Sequence, residues 1–214
     1  MNILAFTGSR ADYYLQRPLF IAIQQNPSLN LSLIVSCGII AEIDRSTLDS
    51  IHGEGFHICA ELSLPSESID HLSTISHLLN RLPVIISDCN PDLCIVYADR
   101  YESFAFALSC FHSNRILLHV ESGDLTYGGT YDDSLRHAIS HISHLYSTST
   151  LASCDVLLSF GISSWRIHHS GLLSYDNLAS IQLPPPVDVL SNLNLDICSP
   201  LVLATMHPIP RDKG

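Results

Sequence analysis

Short apolar runs alternate with longer amphipathic stretches along most of this chain. Asn2 to Thr7, Leu31 to Val35, Phe56 to Ala60, Leu93 to Ala98, Ile116 to Val120, 144–148 and 165–169 are rich in apolar residues, so they read as strands. Arg17 to Gln25, Ile69 to Ser87, 102–112, 132–143 and 150–158 read as helices, and the second of these stops at the turn Asp88-Cys-Asn-Pro91. Such alternation builds βαβ units, whose right-handed crossovers place helices on both faces of a parallel sheet. The pattern predicts an α/β fold, a Rossmann-like parallel sheet with helices on both faces.

The rhythm changes near residue 180. Asp176 to Ala179 starts a short helical piece, and the stretch Gln182-Leu-Pro-Pro-Pro-Val-Asp188 then carries three prolines, which exclude regular structure and read as a linker. Leu201-Val-Leu-Ala-Thr205 is a new strand signal, ended by His207-Pro208. The expected organisation is a Rossmann-like N-terminal domain over 1–180, a proline-containing linker over 181–200 and the start of an incomplete second domain over 201–214.

Composition narrows the possible partners. With 214 residues, 46% of them hydrophobic and 14% charged, the chain has apolar matter for one sizeable core. A formal net charge of −11 argues against a nucleic acid or an anionic membrane surface, either of which needs a basic face. Lys213 is the only lysine, so positive charge is almost all arginine, and Arg10, Arg17, Arg100 and Arg136 fall in or beside polar loops. The planar guanidinium fork suits diphosphate oxygens. Seven scattered cysteines, an odd number without a C-x-x-C pair, suit free thiols in a reducing compartment. A first strand beginning at Asn2, and no apolar stretch long enough to span a membrane, complete the expectation of a cytoplasmic protein.

Chemistry concentrates in two segments. The run His119-Val-Glu-Ser-Gly-Asp-Leu-Thr-Tyr-Gly-Gly-Thr-Tyr-Asp-Asp-Ser-Leu-Arg-His137 places four carboxylates, two histidines and one arginine between an apolar strand and a helix. The strand Leu93 to Ala98 breaks likewise into Asp99-Arg100-Tyr101-Glu102. Ligands of open α/β sheets sit at the carboxyl ends of strands, where gathered carboxylates can divide acid and base roles. Taken singly, Asp132 or Asp133 reads equally well as a helix N-cap, and Glu121 as part of a solvated loop.

The first turn, Gly8-Ser-Arg-Ala-Asp12, joins a strand to a helix in the manner of a phosphate site. It lacks both G-x-G-x-x-G and the P-loop pattern, and Gly8 alone is also an ordinary turn residue. His137, His141 and His144 share a helical face, but zinc needs further ligands, so no metal site is expected.

Thr7-Gly-Ser-Arg-Ala-Asp-Tyr13, Ala98-Asp-Arg-Tyr-Glu102, His119-Val-Glu-Ser-Gly-Asp124, Gly129-Thr-Tyr-Asp-Asp-Ser-Leu-Arg-His137, Ser143-His-Leu145, Ser174-Tyr-Asp-Asn177 and Met206-His-Pro208 together resemble the hydrolysing UDP-N-acetylglucosamine 2-epimerases of sialic-acid biosynthesis. The resemblance runs in the family's order over essentially the whole chain. It implies the N-terminal half of a glycosyltransferase-B-like architecture, with the active site between two Rossmann-like halves. It also implies conversion of UDP-N-acetylglucosamine to N-acetylmannosamine and UDP, through elimination to a glycal and rehydration, with no redox cofactor and no obligatory metal.

Carried over by motif, Asp99, Glu121 and Asp132 are the acid/base carboxylates, with Asp133 the alternative to Asp132, and His119 and Arg136 shape the site. Arg10, Tyr14, Arg100 and His207 contact nucleotide or diphosphate. Ser122 stands where the family usually has a second glycine, which would put a side chain near the substrate. The resemblance implies a chain inactive by itself, completed by a separately encoded C-terminal half or acting in a homo-oligomer. The competing expectation is a non-catalytic, sugar-nucleotide-like interaction domain.

Overall fold

The computed structural model describes residues 1–36, 45–63, 70–126, 131–196 and 200–205. Strands β1 (Asn2–Thr7), β2 (Asn30–Ser36), β3 (His57–Leu62), β4 (Leu93–Tyr97), β5 (Leu117–Val120), β6 (Leu145–Thr148) and β7 (Ile167–His169) form one sheet in the order β3-β2-β1-β4-β5-β6-β7. Every pair is parallel. The chain winds outward from β1 to β3, then returns to β4 and winds the other way. Loops leaving β1 and β4 therefore diverge, opening a crevice at the carboxyl edge.

Helices α1 (Arg10–Gln24), α2 (Arg45–Gly53), α3 (His71–Cys89), α4 (Tyr101–His112), α5 (Tyr131–Ile142), α6 (Leu151–Ser159) and α7 (Leu173–Ser180) complete the βαβ units. Most follow the expected segments to within a few residues. Two differ. α1 begins at Arg10, seven residues before the apolar pattern suggests, because Ser9 caps it by accepting from the Asp12 amide at 3.2 Å. α2 was not expected, since only Leu48 and Ile51 mark its apolar face, but Ile51 is fully buried.

Period-two alternation in the strands divides the core. Leu4 and Phe6 of β1 join Val96 of β4 on the face covered by Leu78, Leu82 and Ile86 of α3 and by Phe106 of α4. Ile3 and Ala5 join Ile95 and Tyr97 on the opposite face, under Tyr13 and Phe20 of α1 and Ile51 of α2. Each large side chain so buried contributes about 1.5–3 kcal/mol. Phe6 stacks on Phe106 with ring centroids 5.2 Å apart. Glu54 ties α1 to the end of α2, accepting from Tyr13 Oη at 3.0 Å and Arg17 Nε at 2.8 Å.

Pro18 lies inside α1 and has no N–H, so the Tyr14 carbonyl loses its helical donor. Asn177 Nδ2 of α7 donates to that carbonyl instead, which anchors α7 to α1. A sequence-local defect thus becomes a tertiary contact.

The chain divides into compact units over Met1–Leu178 and Ala179–Gly214. In the second unit, α8 (Pro186–Asn192) occupies part of the stretch expected to be an irregular linker. The prolines permit it because Pro185 caps the helix and Pro186 opens it, where a missing N–H has no partner to lose. The strand signal Leu201–Thr205 forms no strand among the described residues. No helix among the described residues is long and apolar enough to cross a membrane.

Asn177→Ala should cost about 1 kcal/mol in the wild type and much less in a Pro18→Ala background, where residue 18 supplies the missing donor. Equal costs in the two backgrounds, measured by urea unfolding, would show that the Tyr14 carbonyl is not what Asn177 serves.

Candidate active site

The carboxyl ends of β1, β4 and β5 lie side by side, and each delivers acidic residues to the same edge. At the end of β1, Gly8 packs closely: an added Cβ would lie 3.3 Å from the Phe6 ring and 3.4 Å from Glu102 Cβ. Beneath this turn, Arg100 donates to Glu102 at 3.0 and 3.2 Å and lies 3.6 Å from Asp12. Glu102 is 2% exposed. Burial disfavours the Arg100 charge, but the Glu102 and Asp12 carboxylates outweigh it and hold the guanidinium above its ordinary value. Burial pushes Asp12 up, with Arg100 opposing. Arg100, expected to meet a diphosphate, is thus already shared between two carboxylates.

Arg10 opens α1 and is exposed. Tyr14 is half-exposed, with its hydroxyl 3.4 Å from Ser50 Oγ of α2. His207 lies outside the described residues, as do Met206 and Pro208 of its motif.

Asp99 follows β4 and forms an ion pair with Arg136 Nη2 of α5. Arg136 Nη1 donates to Asp133 Oδ1 at 2.9 Å and to the Asp124 carbonyl at 2.9 Å. Asp133 also accepts from the Thr126 amide at 3.1 Å and from its hydroxyl at 2.9 Å. Asp133 is buried and holds Thr126, while its neighbour Asp132 is exposed in the first turn of α5. The structure joins Asp99, Arg136 and Asp133, and leaves Asp132 outside that cluster.

Glu121 follows β5 with φ at +55°, and Ala98 follows β4 with φ at +53°. Left-handed backbone at non-glycine residues costs on the order of 1–3 kcal/mol, so two such residues at the ends of adjacent strands mark a site worth the strain. Tyr97 Oη donates to Glu121 Oε2 at 2.7 Å. Glu121 is pushed above the ordinary carboxylate range by burial, with the Tyr97 bond opposing and the nearby Asp124 charge adding to the rise.

Ser122, where a side chain could have met the substrate, is fully buried and donates its hydroxyl to the Ser147 carbonyl at 3.2 Å. Gly123 has φ at +82°, and a Cβ there would lie 2.3 Å from the Ser153 carbonyl, so only glycine fits. That close approach lets Asp124 accept from Ser149 Oγ at 2.8 Å and from Ser153 Oγ. A cavity of about 310 Å³ opens beside them, lined by Gly123, Asp124, Leu125, Thr150, Ala152, Ser153 and Val156.

His119 is fully buried in β5. Its Nε2 lies 2.7 Å from the Ala98 carbonyl, which can only accept, so Nε2 carries the proton and Nδ1 accepts from Ser140 Oγ at 3.0 Å. Burial lowers the ring to about 4. His119 is a neutral brace for the strained turn before Asp99, so it orients the site without carrying charge to it. His137 and His141 each lie against Phe160, at 5.0 and 4.9 Å between ring centroids. No cluster of three or more metal-ligating side chains occurs among the described residues.

Tyr97, Asp12 and Glu102 were not singled out from the sequence. Tyr97 closes an apolar strand two residues before Asp99, where a hydroxyl reads as core, and its partner is 24 residues away. Asp12 and Glu102 stood inside quoted motifs, but their pairing with Arg100 needs β1 beside β4.

A Rossmann-like sheet in this strand order, with its acidic site at the carboxyl edge, defines the class: one half of a glycosyltransferase-B-like architecture. The Neisseria meningitidis UDP-GlcNAc 2-epimerase bound to UDP-GlcNAc superposes with a TM-score of 0.75 at 20% identity, covering 91% of this chain and 52% of that one. The S. aureus MnaA–UDP structure gives 0.77 at 20% identity, covering 90% and 51%. In sequence, a UDP-N-acetylglucosamine 2-epimerase of Neisseria meningitidis is 29% identical over 183 residues, 86% of this chain and 48% of its own length. A UDP-N,N'-diacetylbacillosamine 2-epimerase (hydrolyzing) of Legionella pneumophila is 26% identical over 214 residues, 99% of this chain and 56% of its own. The family model described as UDP-N-acetylglucosamine 2-epimerase matches residues 21–213, and the chain belongs to that family. It spans about half the length of the curated relatives it matches.

Two measurements check the geometry. Since His119 titrates near 4 in the folded chain and near 6.5 when unfolded, its contribution to stability is complete above about pH 6.5 and falls by about 3 kcal/mol as pH drops toward 4. In urea unfolding, the stability lead of wild type over His119→Gln should therefore shrink across that window; a constant lead would mean the ring is not held neutral. Arg136→Gln should cost about 3 kcal/mol by removing the cation shared by Asp99 and Asp133, whereas Asp132→Asn should cost less than about 0.5 kcal/mol. Similar losses for both variants would contradict the separation of Asp132 from the cluster.

Proposed function

We propose that the chain is the acid/base half of a hydrolysing UDP-N-acetylglucosamine 2-epimerase, which turns UDP-N-acetylglucosamine and water into N-acetylmannosamine and UDP. The observation that carries the reading is the placement of Asp99 and Glu121 at the ends of neighbouring strands, with Glu121 shifted toward its neutral form. Support also comes from the relatives, among them two hydrolyzing N,N'-diacetylbacillosamine 2-epimerases, of Legionella pneumophila and Campylobacter jejuni.

The C2 proton of the sugar is weakly acidic, so its removal needs a carboxylate in direct contact. As that proton leaves, the bond from C1 to the diphosphate oxygen breaks, giving UDP and a glycal. Water then adds its hydroxyl to C1, giving its remaining proton to a carboxylate, while a carboxylic acid returns a proton to the opposite face of C2. Glu121, whose neutral form burial favours, is suited to the donor role. Asp99 and Asp132 are the further acid/base carboxylates. Asp132 is available because Asp133, not Asp132, is committed to Thr126 and Arg136.

Arg10, at the start of α1, and Tyr14 are proposed to meet the nucleotide, together with His207. Arg100 can join them only by sharing its charge with Asp12 and Glu102. Arg10, with an Arg100 already shared, is little positive charge for a diphosphate, so the reading requires a second half, of the kind that makes up the rest of the relatives' length, to hold uridine and diphosphate. Remote binding energy of that sort positions the reacting sugar. The inward-turned Ser122 hydroxyl removes one reason to favour a non-catalytic interaction domain.

The decisive assay measures UDP release from UDP-N-acetylglucosamine by the 214-residue chain and by a version extended with a family-like C-terminal half. The extended protein should turn over at about 1 per second or faster. Glu121→Gln in it should lower turnover at least ~100-fold, as expected for loss of a general acid or base, with UDP binding unchanged. UDP binding without turnover in the extended wild type would sink the catalytic reading and leave the interaction domain.

A further inference from the structure

Tyr97 is a group at this edge that the proposed chemistry leaves unused. It ends β4 at 5% exposure, and its ring belongs to the core on the α1 face. A phenylalanine would fill that volume, but a buried hydroxyl needs a partner, and Tyr97 Oη finds it in Glu121 Oε2 at 2.7 Å. A phenol has one proton to donate, so the bond makes the two carboxyl oxygens inequivalent. Glu121 Oε1 is buried with no hydrogen bond of its own.

We propose that Tyr97 is a positioning residue for Glu121: by donating to Oε2 it fixes the orientation of the carboxyl and directs the proton of its neutral form to Oε1. The inference rests on the acid/base role proposed for Glu121 and adds to it how the carboxyl is oriented and which oxygen carries its proton. The register supports it. Tyr97 pairs with Val120, so the phenol lies one residue from Glu121 across a paired strand, and the left-handed turn at Glu121 starts directly after that pair.

The other groups around the pair are few among the described residues. Asp124, from the loop that follows Glu121, places negative charge near it, and the Leu173 amide at the start of α7 favours the ionised form. Asp12 of α1 and Arg136 of α5 act on Tyr97 rather than on Glu121 directly. Of these, the phenol is the one whose removal changes hydrogen bonding to a single oxygen without adding or removing a charge.

The test needs no substrate. In the 214-residue chain labelled with ¹³C at glutamate side chains, the Glu121 signal is assigned by its loss in Glu121→Gln and followed through a pH titration. Tyr97→Phe should raise the Glu121 midpoint by about one pH unit, since a bond to the charged form is lost. Replacing Tyr97 with 3-fluorotyrosine, a more acidic and stronger donor, should lower it. A role in packing alone moves neither, and an unchanged midpoint in the fluorotyrosine protein overturns the proposal, as does a downward shift in Tyr97→Phe. If Tyr97→Phe does not fold, the fluorotyrosine protein decides the matter, because it keeps the ring and its packing. Failure of the extended protein to release UDP would count against the proposed function and leave this titration unaffected.

Discussion

Arg136 reaches from α5 to Asp99 and Asp133 at once, and without that double ion pair two largely buried carboxylates would face each other behind the end of β4. The same constraint recurs along the whole edge. Asp12, Asp99, Glu102, Glu121, Asp124 and Asp133 crowd together, while Arg100 and Arg136 supply the nearby positive charge. Burying charge without a partner is far costlier than losing one hydrogen bond, so each surplus carboxylate has its own remedy. Asp124 takes serine hydroxyls, Asp133 takes the Thr126 amide and hydroxyl, and Glu121 takes the Tyr97 phenol and shifts toward its neutral form.

These remedies reach back into the fold. The Asp124 bonds require the loop to pass within contact of α6, which only glycine at 123 allows. The Asp133 bonds tie Thr126 to α5, and Arg136 sits one turn along the same helix. His119 holds the Ala98 carbonyl, so the strained turn that presents Asp99 is braced from inside the sheet by a ring that burial keeps uncharged. A change at any of these supports would disturb the proposed acid/base carboxylates without touching them directly.

Electrostatics also explains the division of labour proposed between two halves. An edge rich in carboxylates suits proton transfer at a sugar carbon and repels a diphosphate. Arg100 offers little relief, because Glu102 and Asp12 already neutralise it. Binding the nucleotide from a second surface separates the two incompatible demands, and the coverage of about half of each relative agrees with that arrangement.

Hydrophobic periodicity sufficed for the α/β class and for most strands and helices, because alternation and helical spacing are local and the core on each face follows from them. It missed α2, whose two apolar positions make a weak local signal although tertiary burial of Ile51 is complete. It excluded helix from the proline run, where the position of Pro186 at a first turn mattered more than the number of prolines. Motif spacing brought Asp99, Glu121 and Arg136 to notice, since strand ends in a parallel sheet share an edge. The burial of Asp133 beside an exposed Asp132, the capture of Arg100 by Glu102 and Asp12, the inward turn of Ser122 and the bond from Tyr97 to Glu121 were decided by tertiary structure alone. Each depends on which way one side chain points across a strand pair or helix turn, and on which oxygen burial leaves without water; neighbouring residues in sequence do not carry that information.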